Sequence, residues 1–468
     1  MFTARRKKIT NNDASWKPAL QILFNMRKKI FIAAVLVFST FHFSFSQSPL
    51  SFKVDILGHA EIRNGGMKDS VHYDPRFMVS RERLIADYSD SSSSLQWAMH
   101  LNLQHTAIWG QTGGFKIFEG WGKLSTNWGG FVQVGRQALS YDDERIIGMD
   151  DWAMAAQSHD VLRLGYEHGA HKLHLVAAYN QDGDVEETGS SYYTEGGFQS
   201  YKTMLVGWYH LEPPKSPASL SLIFMNMGMQ AGTKGVDEHN EYQQIYGGYA
   251  KFEKPWLTIE GSYYRQGGHE EHGLPIEAWM AALKATWRPI QLLDISIGCD
   301  HMSGDEYFNV PAGGSLGMIQ HKVIRGFNPV WGSHHKFYGA MDFFYVSTYY
   351  SGFTPGLQNL YTFVDLHPTE KFDFGLGYHY FAIPADIKNL DHTLGHELEL
   401  AATYKFSEEV TLSAGFSYMV GSETMDKLKR SAEDSRLTWA WIDLQFKIST
   451  KCDSIVRCIR NLASTMVS

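Results

Sequence analysis

The sequence is poor in cysteine, proline and charged residues, and each shortage excludes a class of protein. Three cysteines in 468 residues cannot form a disulfide framework or a four-ligand zinc site. With 14 prolines beside 43 glycines, the chain is neither collagen-like nor of low complexity. Charged residues make up 20%, below the usual share of about 25%. Aromatic residues are plentiful at 14%, and a single large β-barrel fits the length as well as two or three domains do.

Long apolar runs are also missing, except near the start of the chain. Residues 30–45 are apolar, follow Met26-Arg27-Lys28-Lys29, and end in Ser44-Phe45-Ser46. This pattern predicts a secretory signal peptide over residues 26–46, preceded by a misassigned leader over residues 1–25. The alternative, a membrane anchor, requires a longer run. Removing residues 1–46 removes eight of the 42 Lys and Arg and one of the 50 Asp and Glu, so the net charge becomes −15.

From residue 51 onward, apolar and polar residues alternate with the period of two that is typical of strands. Leu, Trp and Met share one face of residues 95–104, and residues 293–300, 372–379 and 410–417 repeat the scheme. The polar faces mix Gly, Ser, Thr, His and charges, as a water-filled lumen would. Aromatic residues cluster near strand ends, and short turns alternate with long loops. These features favour an all-β, antiparallel transmembrane barrel over a soluble sandwich.

Counting the strands gives 19 runs, whereas bacterial single-chain barrels normally have an even number. The run around residues 335–346 lies between a strand that must ascend and a strand that must descend, so it belongs to the long external loop 302–356. We therefore predict an 18-stranded barrel over residues 47–448, with both ends in the periplasm. The 55-residue loop is expected to fold inward and narrow the pore. Residues 449–468 are predicted to be an appended tail.

Two groups of residues resemble motifs of the alginate export family. The first comprises Gly135-Arg136-Gln137, Asp143-Glu144-Arg145, Gly148, Trp152 and His159-Asp160; the second comprises Phe327-Asn328-Pro329, His335-Lys336-Phe337-Tyr338-Gly339 and Met341-Asp342. The resemblance spans about residues 51–448. It implies an 18-stranded outer-membrane porin whose charged constriction contains Arg136, Arg145, Trp152 and Asp160.

Arginines in a constriction would suit an anionic polymer, because fixed cations replace the solvation that its carboxylates lose. The planar guanidinium binds carboxylates with two parallel hydrogen bonds and stays charged. Strand five conflicts with this placement, since Val132 and Val134 share a face with Arg136. An arginine facing lipid at the midplane costs about 2–4 kcal/mol. We therefore expect a bulge near Gly135, or a position at the rim. Alternatively, the arginine only braces acidic loop residues.

Alternation identifies further inward-facing cations. They are Arg163, Lys172, Lys284 and Lys123. Arg81 and Arg83 share one face of their strand and are also assigned to the lumen, although the charged Glu82 between them leaves the orientation of that strand open. Inward-facing acids are at least as frequent: Glu167, Glu260, Asp294, Asp300, Asp373, Glu397, Glu399 and Asp443. Such a mixed lumen does not predict strong anion selectivity, and structural salt bridges that hold the barrel in shape are the alternative role for most of these residues.

The external loops are acidic, with Asp142, Asp143, Glu144, Asp150 and Asp151 forming the densest group. Their oxygens suit Ca²⁺, but no regular spacing supports a site, and we expect solvated loops. His269-Glu270-Glu271-His272 lacks the helical spacing of a zinc protease. We therefore predict no bound metal and no cofactor.

No nucleophile elbow, Walker loop or dinucleotide motif occurs in the sequence, so no catalytic residue is predicted. The prediction is a non-enzymatic porin of the bacterial outer membrane, for passive passage of small or polymeric solutes. Its expected partners are outer-membrane lipid, the outer-membrane assembly machinery and a saccharide or small anionic solute. The negative charge argues against nucleic acid. A barrel-embedded hydrolase and a structural or adhesive barrel are the alternatives.

Overall fold

The computed structural model describes residues 50–64, 76–91, 94–180, 201–233, 236–305, 323–344, 354–387, 389–429 and 436–452. The predicted leader, the signal peptide and most of the predicted tail lie outside these residues. Residues 449–452 continue the last strand, so the barrel extends past residue 448, where its end was predicted.

The described chain forms 18 strands in one antiparallel sheet, as predicted. The strands are β1 (Leu50–Asn64), β2 (Arg76–Asp90), β3 (Leu95–Ile108), β4 (Gly114–Thr126), β5 (Gly130–Gln137), β6 (His159–His168), β7 (His171–Tyr179), β8 (Thr203–Leu211), β9 (Ala218–Ala231), β10 (His239–Lys254), β11 (Leu257–Gly268), β12 (Ala278–Ile290), β13 (Leu293–Met302), β14 (Leu357–Thr369), β15 (Phe372–Ala382), β16 (Thr393–Lys405), β17 (Val410–Gly421) and β18 (Arg436–Cys452). A short helix, α1 (Glu423–Lys429), precedes β18.

The sheet closes on itself because β1 pairs with both β2 and β18. Closure satisfies every ladder hydrogen bond within the wall, which a bilayer requires because it offers no water to a free strand edge. The short turns all lie at one end of the barrel and the long loops at the other. In outer-membrane barrels the short-turn end faces the periplasm. No described helix is long and apolar enough to cross a membrane.

The strand-like run that starts near residue 335 was predicted to belong to a loop, and this is confirmed for its described residues. Residues 334–336 form one turn of 3₁₀ helix, and no strand occurs in the described part of this loop, residues 323–344. We call residues 138–158 inner loop 1 and residues 323–344 inner loop 2, because both fold into the barrel.

The two faces of the wall differ as the alternation predicts. Leu, Ile, Val, Phe and Trp side chains are exposed on the outside, including Leu162, Leu164, Leu222, Phe224 and Leu283. Their neighbours in sequence point inward. An apolar exterior around a closed barrel is the surface that lipid requires, and it places the protein in the bacterial outer membrane.

The interior of the barrel holds its own apolar core. Inner loops 1 and 2 contribute Leu139, Ile147, Tyr338 and Phe344, all of them buried. They pack against inward-facing wall residues, of which the methionines are Met204, Met225, Met227, Met280, Met302 and Met419. Burial of these side chains, rather than backbone pairing alone, holds the inner loops across the lumen.

Candidate functional site

The two inner loops are joined to each other by backbone hydrogen bonds. Gly148 N donates to Trp331 O over 2.8 Å, and Ser333 N donates to Glu144 O over 2.9 Å. Asp150 N donates to Ser333 Oγ over 2.8 Å. Because these bonds link the loops along several residues, the loops form one layer inside the barrel.

Arg145 connects that layer to the wall. Its Nη2 lies 2.8 Å from Asp300 Oδ1 on β13, and its Nε lies 2.9 Å from Asp143 Oδ2. The guanidinium also stacks 4.0 Å from the centroid of Phe337, and its Nη1 donates to the Tyr338 hydroxyl over 3.4 Å. The side chain is only 4% exposed. Arg145 therefore lies inside the barrel, where it forms ion pairs with acidic residues, and its place at a constriction stays a prediction.

The electrostatics of this cluster follow from burial opposed by ion pairing. Burial works against the charge on Arg145, but the carboxylates of Asp300 and Asp143 outweigh it and raise the pKa of Arg145 well above its usual value. Burial raises the pKa of Asp143, and the nearby Arg145 only partly offsets that rise. Each charge is stabilised by the opposite charge beside it. Removing one partner therefore leaves a buried charge without its counter-ion.

A second attachment joins inner loop 2 to β16. Glu397 Oε1 accepts the Met341 N–H over 2.9 Å, and Glu399 Oε1 accepts the Ala340 N–H over 2.6 Å. Gly339 adopts a φ of +89°, and a Cβ there would lie 2.4 Å from Glu397 Oε2. Only glycine allows the backbone to approach these carboxylates so closely.

The wall formed by β2 and β3 holds inner loop 1 through basic and amide groups. Arg81 Nη1 donates to Asp151 O over 2.8 Å, and Arg83 Nη1 to Asp151 Oδ1 over 2.6 Å. Arg83 Nε donates to Gln104 Oε1 over 2.8 Å, and the Gln104 amide nitrogen donates to Met154 O over 3.1 Å. The predicted inward orientation of Arg81 and Arg83 is confirmed.

Trp152 belongs to an aromatic group at the joint between the loops. Its ring stacks on His335 of inner loop 2 at 4.0 Å and 7° between planes. Trp439 and Trp441 of β18 meet it edge-on, at 5.9 and 5.0 Å. Trp152 therefore lies inside the barrel, where its indole packs one inner loop against the other, and its place at a constriction stays a prediction.

Arg136 and Asp160 lie outside the lumen, which corrects their predicted place in the constriction. Arg136 Nη2 lies 2.6 Å from Asp160 Oδ2, and the two side chains are 42% and 55% exposed. Both residues continue the outward-facing series of Val132, Val134 and Leu162. The alternation of strand five was thus the better guide, and Arg136 braces an acid where β5 leaves the wall.

No bulge occurs at Gly135, because β5 pairs in continuous register with both neighbouring strands. The bulge lies one strand earlier, where Asn102 pairs with Glu119 but Leu103 pairs with Ile117. Phe118 is the extra residue, and it points inward, with 1% exposure. Arg136 therefore stays on the outer face at the end of its strand.

The other predicted cations point inward, as the alternation indicated. Arg163 Nη2 donates to Gln133 Oε1 over 2.6 Å, and Lys123 Nζ lies 3.9 Å above the ring of Phe131. Lys172 lies near the short-turn end, with its Nζ 3.9 Å from Glu212. Lys284 faces a cavity of about 510 Å³ beneath inner loop 2.

That cavity is lined by both signs of charge and by aromatic rings. Lys284 and Glu260 sit opposite each other on neighbouring strands, and Tyr361, Phe363 and Trp441 supply flat apolar surfaces. A saccharide ring needs such a combination, since its C–H faces pack on aromatic rings while its hydroxyls bond to charged groups.

Two features escaped the sequence analysis. Lys116 points inward and donates to the carbonyls of Ala155 and Ala156; its position between the outward-facing Phe115 and Ile117 would have revealed it. The acidic residues of inner loop 1 were expected in solvent, whereas Asp143 and Glu144 are largely buried inside the barrel. Nothing in their spacing indicates that fold.

A group of candidate metal ligands lies in the turn after β11. Oxygen and nitrogen atoms of Glu270, Glu271 and His272 lie within 4.8 Å of one another among the described residues. The three side chains are partly or fully exposed, as in many solvated turns. The arrangement gives no reason to assign a metal.

His334 makes the inner loops sensitive to acid. Burial lowers the pKa of His334 from 6.5 to about 3. Between pH 6.5 and about pH 3, His334 is therefore protonated in the unfolded loop and neutral in the folded loop. The folded loop is most stable above pH 6.5, and its stability decreases as the pH falls below that value. We expect protease cleavage of the loop to rise between pH 6.5 and 4. His334→Gln, which cannot titrate, should flatten this rise; an equal slope in both proteins would contradict the assignment.

Comparison with known proteins identifies the fold. No protein-family model and no curated protein matches the chain. Among solved structures, Pseudomonas aeruginosa OccK9 (OpdG) matches with a TM-score of 0.57 and 11% identity, over 86% of this chain and 98% of that one. P. aeruginosa OccD3 (OpdP) gives 0.54 and 11%, over 86% and 91%. Acinetobacter baumannii OccAB4 gives 0.55 and 9%, over 86% and 99%. At this identity the likeness shows a shared fold only.

Proposed function

We propose that the protein is a non-enzymatic porin, a channel for the passive passage of small solutes through the outer membrane. The observation that carries the proposal is the lumen itself. Charged and amide side chains line a closed barrel whose exterior is apolar, and two inner loops fold into it. A structural or adhesive barrel has no need of an interior lined by charged side chains.

The finer proposal is that the solutes include anionic saccharides, with alginate oligomers as the family resemblance suggests. Five cations face inward from β2, β4 and β6, namely Arg81, Arg83, Lys116, Lys123 and Arg163. The inward-facing acids of the same strands are three, Asp87, Glu119 and Glu167, and they bond to His100 or His174. This side of the lumen therefore offers net positive charge to an anion.

The opposite side of the lumen is acidic. Asp294, Asp365, Asp373 and Glu399 face inward from β13 to β16, against few cations. An anion would therefore follow the β2–β6 side, and selectivity for anions should be moderate. This side-to-side arrangement differs from the charged constriction around Arg136 and Arg145 that the resemblance implied.

The test is single-channel recording of the purified barrel under a salt gradient, with and without alginate oligomers. We expect an open, ohmic channel that favours anions and is blocked by the oligomers. An open channel that alginate oligomers do not block would support the porin proposal and contradict the saccharide proposal. A barrel that conducts no current would contradict both proposals.

One observation bears on a hydrolase. Ser221 Oγ lies 2.8 Å from His210 Nδ1, and His210 Nε2 lies 3.3 Å from Glu212 Oε2, the order of a catalytic triad. Ser221, however, has no exposed surface. A substrate cannot reach it, so we expect no labelling of Ser221 by a fluorophosphonate probe. If the probe labels the protein and Ser221→Ala abolishes the labelling, the hydrolase alternative is supported.

A further inference from the structure

The tip of inner loop 1 lies against a site that has more positive charge than its contents require. We call residues 150–156 the tip segment. Arg81 and Arg83, whose side chains are 2% and 6% exposed, both form ion pairs with the carboxylate of Asp151, and Asp55 on β1, opposite Arg83, is a second negative charge beyond ion-pair distance. Lys116 is the third cation, and among the described residues it has no carboxylate within ion-pair distance, only the carbonyls of Ala155 and Ala156.

Each of the two arginines also has a buried donor nitrogen that makes no hydrogen bond among the described residues. Arg81 Nε and Arg83 Nη2 are inaccessible to solvent and have no hydrogen-bond partner among the described residues. A buried donor without a partner costs about 1–3 kcal/mol. The spare donors of two guanidinium groups around one carboxylate can form charge-assisted hydrogen bonds to a larger or second anion.

Asp151 is open to solvent where the arginines are not. Its side chain is 41% exposed, so the carboxylate forms the boundary between the arginines and the water in the lumen. A dissolved carboxylate can therefore approach the arginines only by competing with Asp151.

The tip segment is also held by Gln104, by Lys116 and by the stacking of Trp152 on His335, but its backbone is strained at both ends. Asp150 and Ala156, at its two ends, have φ values of +48° and +51°. Residues with a Cβ enter this left-handed region at a cost of about 1–2 kcal/mol each. Release from the wall would let both residues return to ordinary backbone angles, which lowers the cost of displacement.

We propose that Arg81, Arg83 and Lys116 form a carboxylate-binding site that Asp151 occupies in the resting protein, and that a permeating carboxylate displaces Asp151 and releases the tip segment. The inference rests on the proposed function, since it concerns the same lumen. Its new content is that the chain carries a tethered competitor of its own solute, which couples binding of that solute to widening of the constriction.

The decisive variant is Asp151→Asn, which removes the competing charge and keeps the shape of the side chain. Binding of glucuronate and of acetate to the purified full chain would be measured by titration calorimetry, with glucose as the neutral control. We expect Asp151→Asn to bind both carboxylates about tenfold more tightly. The matched control is Asp150→Asn, because Asp150 makes no contact with either arginine among the described residues; it should bind as the unaltered protein does. Tighter binding of glucuronate than of acetate would show that the sugar ring contributes.

A second measurement follows the tip segment directly. A spin label at Ala155, in a chain with Cys299, Cys452 and Cys458 replaced by serine, should be immobile in the resting protein. Saturating glucuronate should mobilise it, and Asp151→Asn should mobilise it without ligand. Unchanged mobility in both cases would overturn the displacement.

Two further outcomes separate this inference from the porin proposal. Arg83→Gln should abolish the affinity gained in Asp151→Asn; if the gain persists, the carboxylate binds elsewhere and the site is wrong. Calorimetry and the spin label do not depend on ion flow. If the barrel conducts no current but binds carboxylate as described, the porin proposal is contradicted and the carboxylate-binding site is supported.

Discussion

Replacing Arg145 with methionine is expected to release both inner loops and to raise single-channel conductance severalfold. Methionine keeps the length of the side chain but leaves Asp143 and Asp300 buried without their cation. Breaking a buried ion pair in this way costs about 3–5 kcal/mol. Because the loops are bonded to each other and to Arg145, the loss at one residue should loosen the whole layer. Conductance in planar bilayers and protease cleavage of the loops are the two measurements.

The matched control is Arg136→Met, which removes another arginine of the same sequence region. Its partner Asp160 is half exposed on the outer face, and such pairs contribute about 0–1 kcal/mol. Conductance and cleavage should stay as in the unaltered protein. Heat-modifiable migration in gels would verify that both barrels are closed. If Arg145→Met conducted like Arg136→Met in closed barrels, Arg145 would not hold the inner loops.

Reversing the charge of Lys123 and Arg163 together is expected to turn the channel toward cations. Lys123→Glu with Arg163→Glu changes the charge of the lumen by four units on the side that an anion would follow. Four charges acting over about 8 Å in water amount to about 2 kcal/mol before screening. Salt at physiological strength removes more than half of this. The anion-to-cation permeability ratio should therefore fall about tenfold at low salt, and less at high salt.

The measurement is the reversal potential under a salt gradient at two ionic strengths. Lys215→Glu with Lys371→Glu makes the same change of charge in two short turns outside the lumen, where both lysines are exposed. This control should shift the reversal potential little. An equal shift in the two double variants would mean that net charge, and not the lumen, sets selectivity.

Much of the wall could be predicted because strand faces alternate strictly and lipid allows few exceptions. Leu283 and Ala285 flank Lys284, so its inward orientation follows from the period of two alone. The same rule placed Arg163 between Leu162 and Leu164. It also argued against Arg136 as a lumen residue, and the structure agrees with the rule rather than with the resemblance.

The inner loops were beyond such reasoning. That the long loop 302–356 folds inward was predicted from its length, but inner loop 1 was expected in solvent because it is rich in acids. Asp151 lies inside because Arg81 and Arg83, distant in sequence, meet it there, and Glu144 lies inside because Lys336 does. The one-residue bulge at Phe118 appears in the sequence only as a change of phase, since Lys116 and Lys123 both face inward although seven positions separate them.

The sequence by itself determined the number of strands, their direction, the face that meets lipid and the membrane that holds the barrel. Each depends on local periodicity and on parity, which the order of residues expresses directly. The tertiary structure alone decided which inward charges remain available to a solute. Arg145 and Lys284 both face the interior, yet Arg145 is enclosed by two carboxylates and two rings while Lys284 lines an open cavity. That difference arises from contacts across the barrel, between residues more than a hundred positions apart, and no local pattern records them.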